Sequence, residues 1–123
     1  MRRTLAALLG VVWLHAAPTV VAADDDFGRT TDAALHEADR CKGFVAPGGS
    51  LLAYVKCMNG VTRHLIAKVN PACLDIYEDG AAQKEVVGAD FDAGKLTVDQ
   101  AITRLNAIDA ATNRAVSDRE LKR

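Results

Sequence analysis

The sequence predicts an all-α protein: a small bundle of about four helices with a C-terminal antiparallel helical hairpin. Three observations carry this reading. Apolar residues recur at helical spacing from Leu35 to Val116, and no alternating strand pattern competes with them. Alanine is abundant, and β-branched residues are scattered rather than clustered. Helix start and stop signals fall between the periodic stretches, at Gly43, Ser50, Asn70-Pro71, Gly94 and Thr97.

A first helix is expected to begin near Thr30 or Thr31, after a short polar and frayed segment from Asp24. Thr31 can cap it, Asp32 suits its first turn, and Leu35, Ala38 and Cys41 fall near one face. Gly43 and Ala46-Pro47-Gly48-Gly49 end it. Ser50 caps a second helix whose apolar side is Leu51, Leu52, Val55, Met58, Leu65, Ile66 and Val69. Gly60 in its middle marks a close contact or a kink. Asn70-Pro71 opens a third helix running toward Ala93, because the missing proline N–H is not needed at a first helical position. Cys73, Ile76, Tyr77, Ala81, Val87 and Phe91 form its apolar side, and Gly80 and Gly88 weaken it.

Gly94 suits a left-handed C-terminal cap. Thr97-Val98-Asp99-Gln100 reads as a capping box for a fourth helix, which carries Ala101, Ile102, Leu105, Ile108, Ala111, Ala115 and Val116 and frays after Arg119. The short connection makes the third and fourth helices antiparallel neighbours. Counting outward from the turn brings Val87 near Leu105 and Gly88 near Ile102, and leaves Lys95 in solvent.

The chain of 123 residues is 50% hydrophobic and 25% charged, which fits one ordinary domain. A net charge of -1 excludes a broad basic surface for nucleic acid. Aromatic residues are 5%, which argues against a ring-lined groove. The first residues carry more information. Met1-Arg2-Arg3 is basic, Leu5 to Ala17 is apolar apart from Gly10 and His15, and Val20-Val21-Ala22-Ala23 is a small-residue exit before Asp24. That is the pattern of a cleaved signal peptide over residues 1–23, leaving a single helical domain over 24–123. Pro18 ends the apolar run well short of the ~20 residues of a membrane span. Loss of Arg2 and Arg3 takes the 15 basic residues to 13 against 16 acids, a net charge of -3. A periplasmic or secreted location follows, with no stable membrane span after cleavage.

The stretch Gly-Lys-Leu-Thr-Val-Asp-Gln-Ala at 94–101 resembles the helical hairpins of small exported bacterial proteins of unknown function. The resemblance spans residues 73–118. It implies a helical exported protein and brings no activity and no site residues. In size, export and cysteine content the chain also resembles periplasmic immunity proteins, small disulfide-bonded helical proteins that neutralise a secreted toxin.

Three cysteines in an exported chain imply one disulfide and one leftover thiol. Antiparallel packing of the first two helices across the glycine-rich connection makes Cys41–Cys57 the favoured pair, with Cys57–Cys73 the next. Cys73 is then the free thiol: either activated by its helix N-terminus or a buried small hydrophobe. Cys57 and His64 share a helix face, and a soft-metal site there is the metal-handling alternative. Otherwise His36 and His64 are surface residues. No C-x-x-C, C-x-x-C-H, H-E-x-x-H, G-x-S-x-G or phosphate loop occurs, and no local motif joins Ser50 or Cys73 to His36 or His64. Asp75, Glu78 and Asp79, and Asp90 with Asp92, match no calcium loop and read as solvated faces. No catalytic, metal or cofactor residue is therefore assigned, and the expected partner is another protein. The alternatives are a small redox or metal-handling protein using Cys73 or Cys57/His64, and an immunity or inhibitor protein.

Overall fold

A computed structural model describes residues 25–123; the expected signal segment, 1–23, lies outside them. Four helices pack against each other, and no strand occurs among the described residues. They are α1 (Asp25–Cys41), α2 (Leu51–Val69), α3 (Leu74–Asp92) and α4 (Val98–Leu121), with single 3-10 turns at Lys42–Val45 and Pro71–Cys73. Each helix packs on its neighbours in the chain, so α3 lies between α2 and α4 while α1 sits on α2.

Helix α1 starts earlier than the sequence reading placed it. The segment expected to fray is helical from Asp25, and Thr31 lies inside the helix rather than capping it. Nothing in that polar stretch stops a helix, since it holds no proline, and the turns continue backward from Ala34. Its inner face is also shifted. Ala34 and Cys41 are buried and Ala38 partly so, whereas Leu35 is 45% exposed. Among the described residues, the apolar side chains that α1 buries are therefore small.

Helix α2 holds most of the core. Leu51, Tyr54 and Ile66 are fully covered, and Val55, Met58, Val61 and Leu65 nearly so. Tyr54 is the largest of these, and its spacing from Leu51 and Met58 places it on the buried face. The helix runs unbroken through Gly60, where a Cβ would meet nothing within 4 Å. The close contact expected at Gly60 lies instead at the two glycines of α3. A Cβ on Gly88 would stand 2.8 Å from the Leu52 Cα, and one on Gly80 would strike the Thr112 hydroxyl. Gly88 thus faces α2 and not Ile102.

The α3–α4 connection follows the expected chemistry. Gly94 has φ 76°, and the Lys95 and Gly94 N–H groups donate to the Asp90 and Phe91 carbonyls at 2.9 and 3.0 Å. These are the two bonds of a Schellman motif. The Gln100 N–H donates to Thr97 Oγ1 at 3.2 Å, and the Thr97 N–H donates to Gln100 Oε1 at 2.9 Å, closing the capping box. Ala101 and Leu105 are fully buried and Val116 nearly so; Ile102 and Ile108 are partly buried, and Ala111 and Ala115 face solvent. Helix α4 continues past Arg119 to Leu121. Its last turns are tied down: Arg119 Nη1 donates to the Ala72 carbonyl at 2.8 Å and both its terminal nitrogens engage Asp75, at 2.6 and 3.0 Å.

The same substitution at two glycines should therefore act with opposite sign. Gly88→Ala should destabilise by about 1–3 kcal/mol, because the new methyl meets backbone that cannot rotate away. Gly60→Ala should stabilise by about 0.5–1 kcal/mol, the ordinary gain in helix propensity. Urea melts of the oxidised protein measure both; a stabilised Gly88→Ala would contradict the close α2–α3 approach.

Candidate functional site

The polar groups that the fold brings together lie in a seam where α2, α3 and α4 meet. Lys84 of α3 and Asp109 of α4 form an ion pair with side chains 12% and 3% exposed. Asn59 of α2, itself buried, donates from Nδ2 to the Ala81 carbonyl at 3.1 Å and to Glu85 Oε2 at 3.3 Å. Nearer the surface, Arg63 of α2 donates from Nε to Glu78 Oε1 at 2.8 Å. Between these groups is a cavity of about 20 Å³, bordered by Asn59, Tyr77, Gly80, Lys84, Asp109 and Thr112. A cavity of roughly that size holds one water, whereas small-molecule sites need about 300 Å³ or more. Burial raises the pKa of the Tyr77 hydroxyl beside it. The Lys84 ammonium is committed to a carboxylate, and no serine, cysteine or histidine is among the residues lining the cavity.

The seam was not among the sequence-predicted sites. Its signal was nonetheless present. Lys84 is one heptad from both Tyr77 and Phe91, and Asp109 follows Ala101 and Leu105 at four-residue steps. A single charge of each sign thus sits in the middle of a buried stripe.

The cysteines fall as favoured from the sequence. Cys41 and Cys57 form a disulfide with Cα atoms 5.6 Å apart, and Cys73 is free and fully buried. Cys57 therefore has no thiolate to share with His64. His64 is exposed on α2, with Nδ1 3.5 Å from Glu37 Oε2 of α1, and His36 is exposed on α1. No group of three or more metal-ligating side chains occurs among the described residues. Ser50 caps α2 as expected, and its hydroxyl donates to Asp92 Oδ2 at 2.5 Å.

The acidic residues of α3 are more than a solvated face. Asp92 accepts from the Leu51 and Leu52 N–H groups at 2.8 and 3.1 Å, so the C-terminus of α3 caps the N-terminus of α2. Glu78 and Asp75 hold Arg63 and Arg119, and the Arg119 guanidinium keeps the Asp75 carboxyl below the usual carboxylate range. One further polar group is deeply enclosed. The Tyr54 hydroxyl has no hydrogen-bond partner, and burial raises its pKa from 10.0 to about 12.

No protein-family model matches this chain, and no curated protein or solved structure matches it either. Among the described residues no helix is long and apolar enough to cross a membrane.

One measurement probes the seam and another the enclosed Tyr54 hydroxyl. Asp109→Ala leaves the Lys84 ammonium buried without its partner and should cost about 3–5 kcal/mol. Pairing Asp109→Leu with Lys84→Met should restore most of that loss or exceed the parent. Denaturant melts decide it, and an Asp109→Ala protein as stable as the parent would refute the buried pair.

Tyr54 predicts an alkaline dependence. Its raised folded-state pKa means that between pH 10 and about 12 the folded chain keeps a proton the unfolded chain has lost. Its contribution is complete below pH 10 and declines as pH climbs through that window. Tyr54→Phe should lessen the decline between melts at pH 9 and pH 11. At neutral pH it should be neutral or stabilising, since the hydroxyl it removes makes no bond.

Proposed function

We propose that this chain is an exported helical protein without catalytic activity that acts, in the periplasm or outside the cell, by binding another protein. The observation that carries the reading is the state of the interior. Lys84 is paired with Asp109, and Asn59 donates to the Ala81 carbonyl, around a cavity of about 20 Å³. What is left to meet a partner is the outer surface, which carries exposed apolar side chains at Phe44 and Val86. Export is supported by the basic, apolar and small-residue pattern of residues 1–23, and by a disulfide of the kind that persists in oxidising compartments. An immunity or inhibitor role is one specific form of the reading. The redox and metal alternatives draw less support, because Cys73 is enclosed and Cys57 is spent in the disulfide.

The test uses the native cell. A photo-crosslinking residue is placed at Phe44 or at Val86, and the exported fraction is analysed by mass spectrometry. The mature chain should begin at Ala23 or Asp24, and one position should give a discrete heavier adduct. Full-length protein retained in the cell, or monomer alone from both positions, refutes the proposal.

A further inference from the structure

Helix α1, like α4, packs chiefly on one neighbouring helix, and α1 is the one joined to its neighbour by a disulfide. It packs on α2 and the adjoining turn, whereas α3 is held from both sides by α2 and α4. Among its described residues, the apolar side chains it buries are Ala34, Ala38 and Cys41, while Leu35 faces water. Its side-chain pairings toward α2 run antiparallel, with Cys41 bonded to Cys57, Glu37 beside His64, and Ala34 beside Leu65. The Glu37–His64 contact is open to solvent and weak. The disulfide is the covalent link between α1 and α2. Below it on α2, at four-residue steps, lie Val61 and Leu65, each 5% exposed.

We propose that α1 is a redox-gated lid: reduction of Cys41–Cys57 releases α1 from α2, uncovers the Val61–Leu65 side of α2, and leaves the α2–α3–α4 core folded. The reductant is a dithiol. Its thiolate attacks the sulfur of Cys57, the half of the bridge that is not fully buried. A mixed disulfide forms, and the Cys41 thiolate leaves and takes up a proton. The second donor thiol, losing its proton, then displaces Cys57 as the new leaving thiolate, which is protonated in turn. Two electrons pass to the protein, and the donor becomes a disulfide. The α2–α3–α4 core keeps its own packing through this exchange, because Leu51, Tyr54, Val55, Met58, Val87 and Leu105 are buried on those three helices and Asp92 caps α2 from α3. The inference concerns the hinge between α1 and α2 and holds whatever the chain binds.

Cys73 supplies an internal reporter, since it is fully enclosed in the core at the start of α3. The full mature chain is treated with excess dithiothreitol under native conditions, pulsed with iodoacetamide, and weighed. Two adducts, on Cys41 and Cys57, are expected, with Cys73 unmodified. Three adducts would mean that the core opens with the bridge, and one or none that Cys41 stays covered by a docked α1; either overturns the proposal. Hydrogen exchange on the Cys41→Ser, Cys57→Ser double variant gives an independent reading. Amides of residues 28–41 should lose protection by about a hundredfold, the entropic contribution of a bridge over a loop of this order, while those of α3 and α4 stay within about threefold of the parent. Unchanged protection in α1, or equal loss throughout, refutes the lid.

Discussion

The close approach of α3 to α2 at Gly88 is the constraint on which the remaining packing depends. With a Cβ site 2.8 Å from the Leu52 Cα, the two backbones nearly touch there. One turn further along α3, that proximity brings the Asp92 carboxylate onto the first turn of α2. A helix leaves its first four N–H groups without partners inside the helix. Here Ser50 donates to the Phe44 carbonyl, Leu51 and Leu52 donate to Asp92, and Ala53 donates to the Ser50 hydroxyl. All four are satisfied, two of them by a residue some forty positions away in sequence. A carboxylate in the last turn of α3 opposes that helix's own dipole, but here it also meets the positive end of α2. The unfavourable half of the arrangement is offset by the favourable one only while the glycine holds the helices together.

Close packing at Gly88 and Gly80 also explains why α3 exists despite its composition. Two interior glycines cost a helix about 1 kcal/mol each relative to alanine. The cost is met by tertiary contact, because α3 is the helix lying between two others. Its centre then has to accommodate Lys84, and the fold does so by placing Asp109 opposite it. A buried ion pair of this kind contributes little net stability compared with well-packed apolar residues. What it does is penalise alternatives. Sliding α4 along α3 by one turn would part the Lys84 ammonium from the Asp109 carboxylate and leave each buried without its partner. The pair therefore fixes the hairpin register that the Gly94 turn begins.

Local chemistry was legible in the sequence wherever it is read between near neighbours. Ser50, Gly94 and the Thr97–Gln100 box could be named because caps are satisfied within a few residues. The Cys41–Cys57 bridge followed from one short connection and the antiparallel arrangement it imposes. The long-range features were hidden for matching reasons. Asp92 looked like one more surface acid because its partners lie some forty residues earlier. Gly80 and Gly88 looked like weaknesses because propensity counts the missing side chain and not the neighbour that fills its place. Leu35 looked like core because α1 holds few large apolar residues, and a periodicity carried by alanines gives no clear phase. The polar seam was visible only as two charges at buried positions, and an apolar tally passes over them.

Charge partition between helices adds a level of specification that composition conceals. Helix α2 carries Lys56, Arg63 and Lys68 and no acid, while α3 carries six acids and the single base Lys84. Summed over the chain the charges nearly cancel, so net charge says little. Placed side by side, the two helices are complementary, and Arg63–Glu78 is the contact where it shows. Helix α4 repeats the logic from the other flank through Arg119 on Asp75. Each exposed pair contributes little to stability. Their joint effect is on choice of neighbour, since α3 offers Glu78 to Arg63 of α2 on one side and Asp75 to Arg119 of α4 on the other. The acidic helix is consequently the one that lies between its two basic-bearing neighbours, where Gly80 and Gly88 give both of them room to approach.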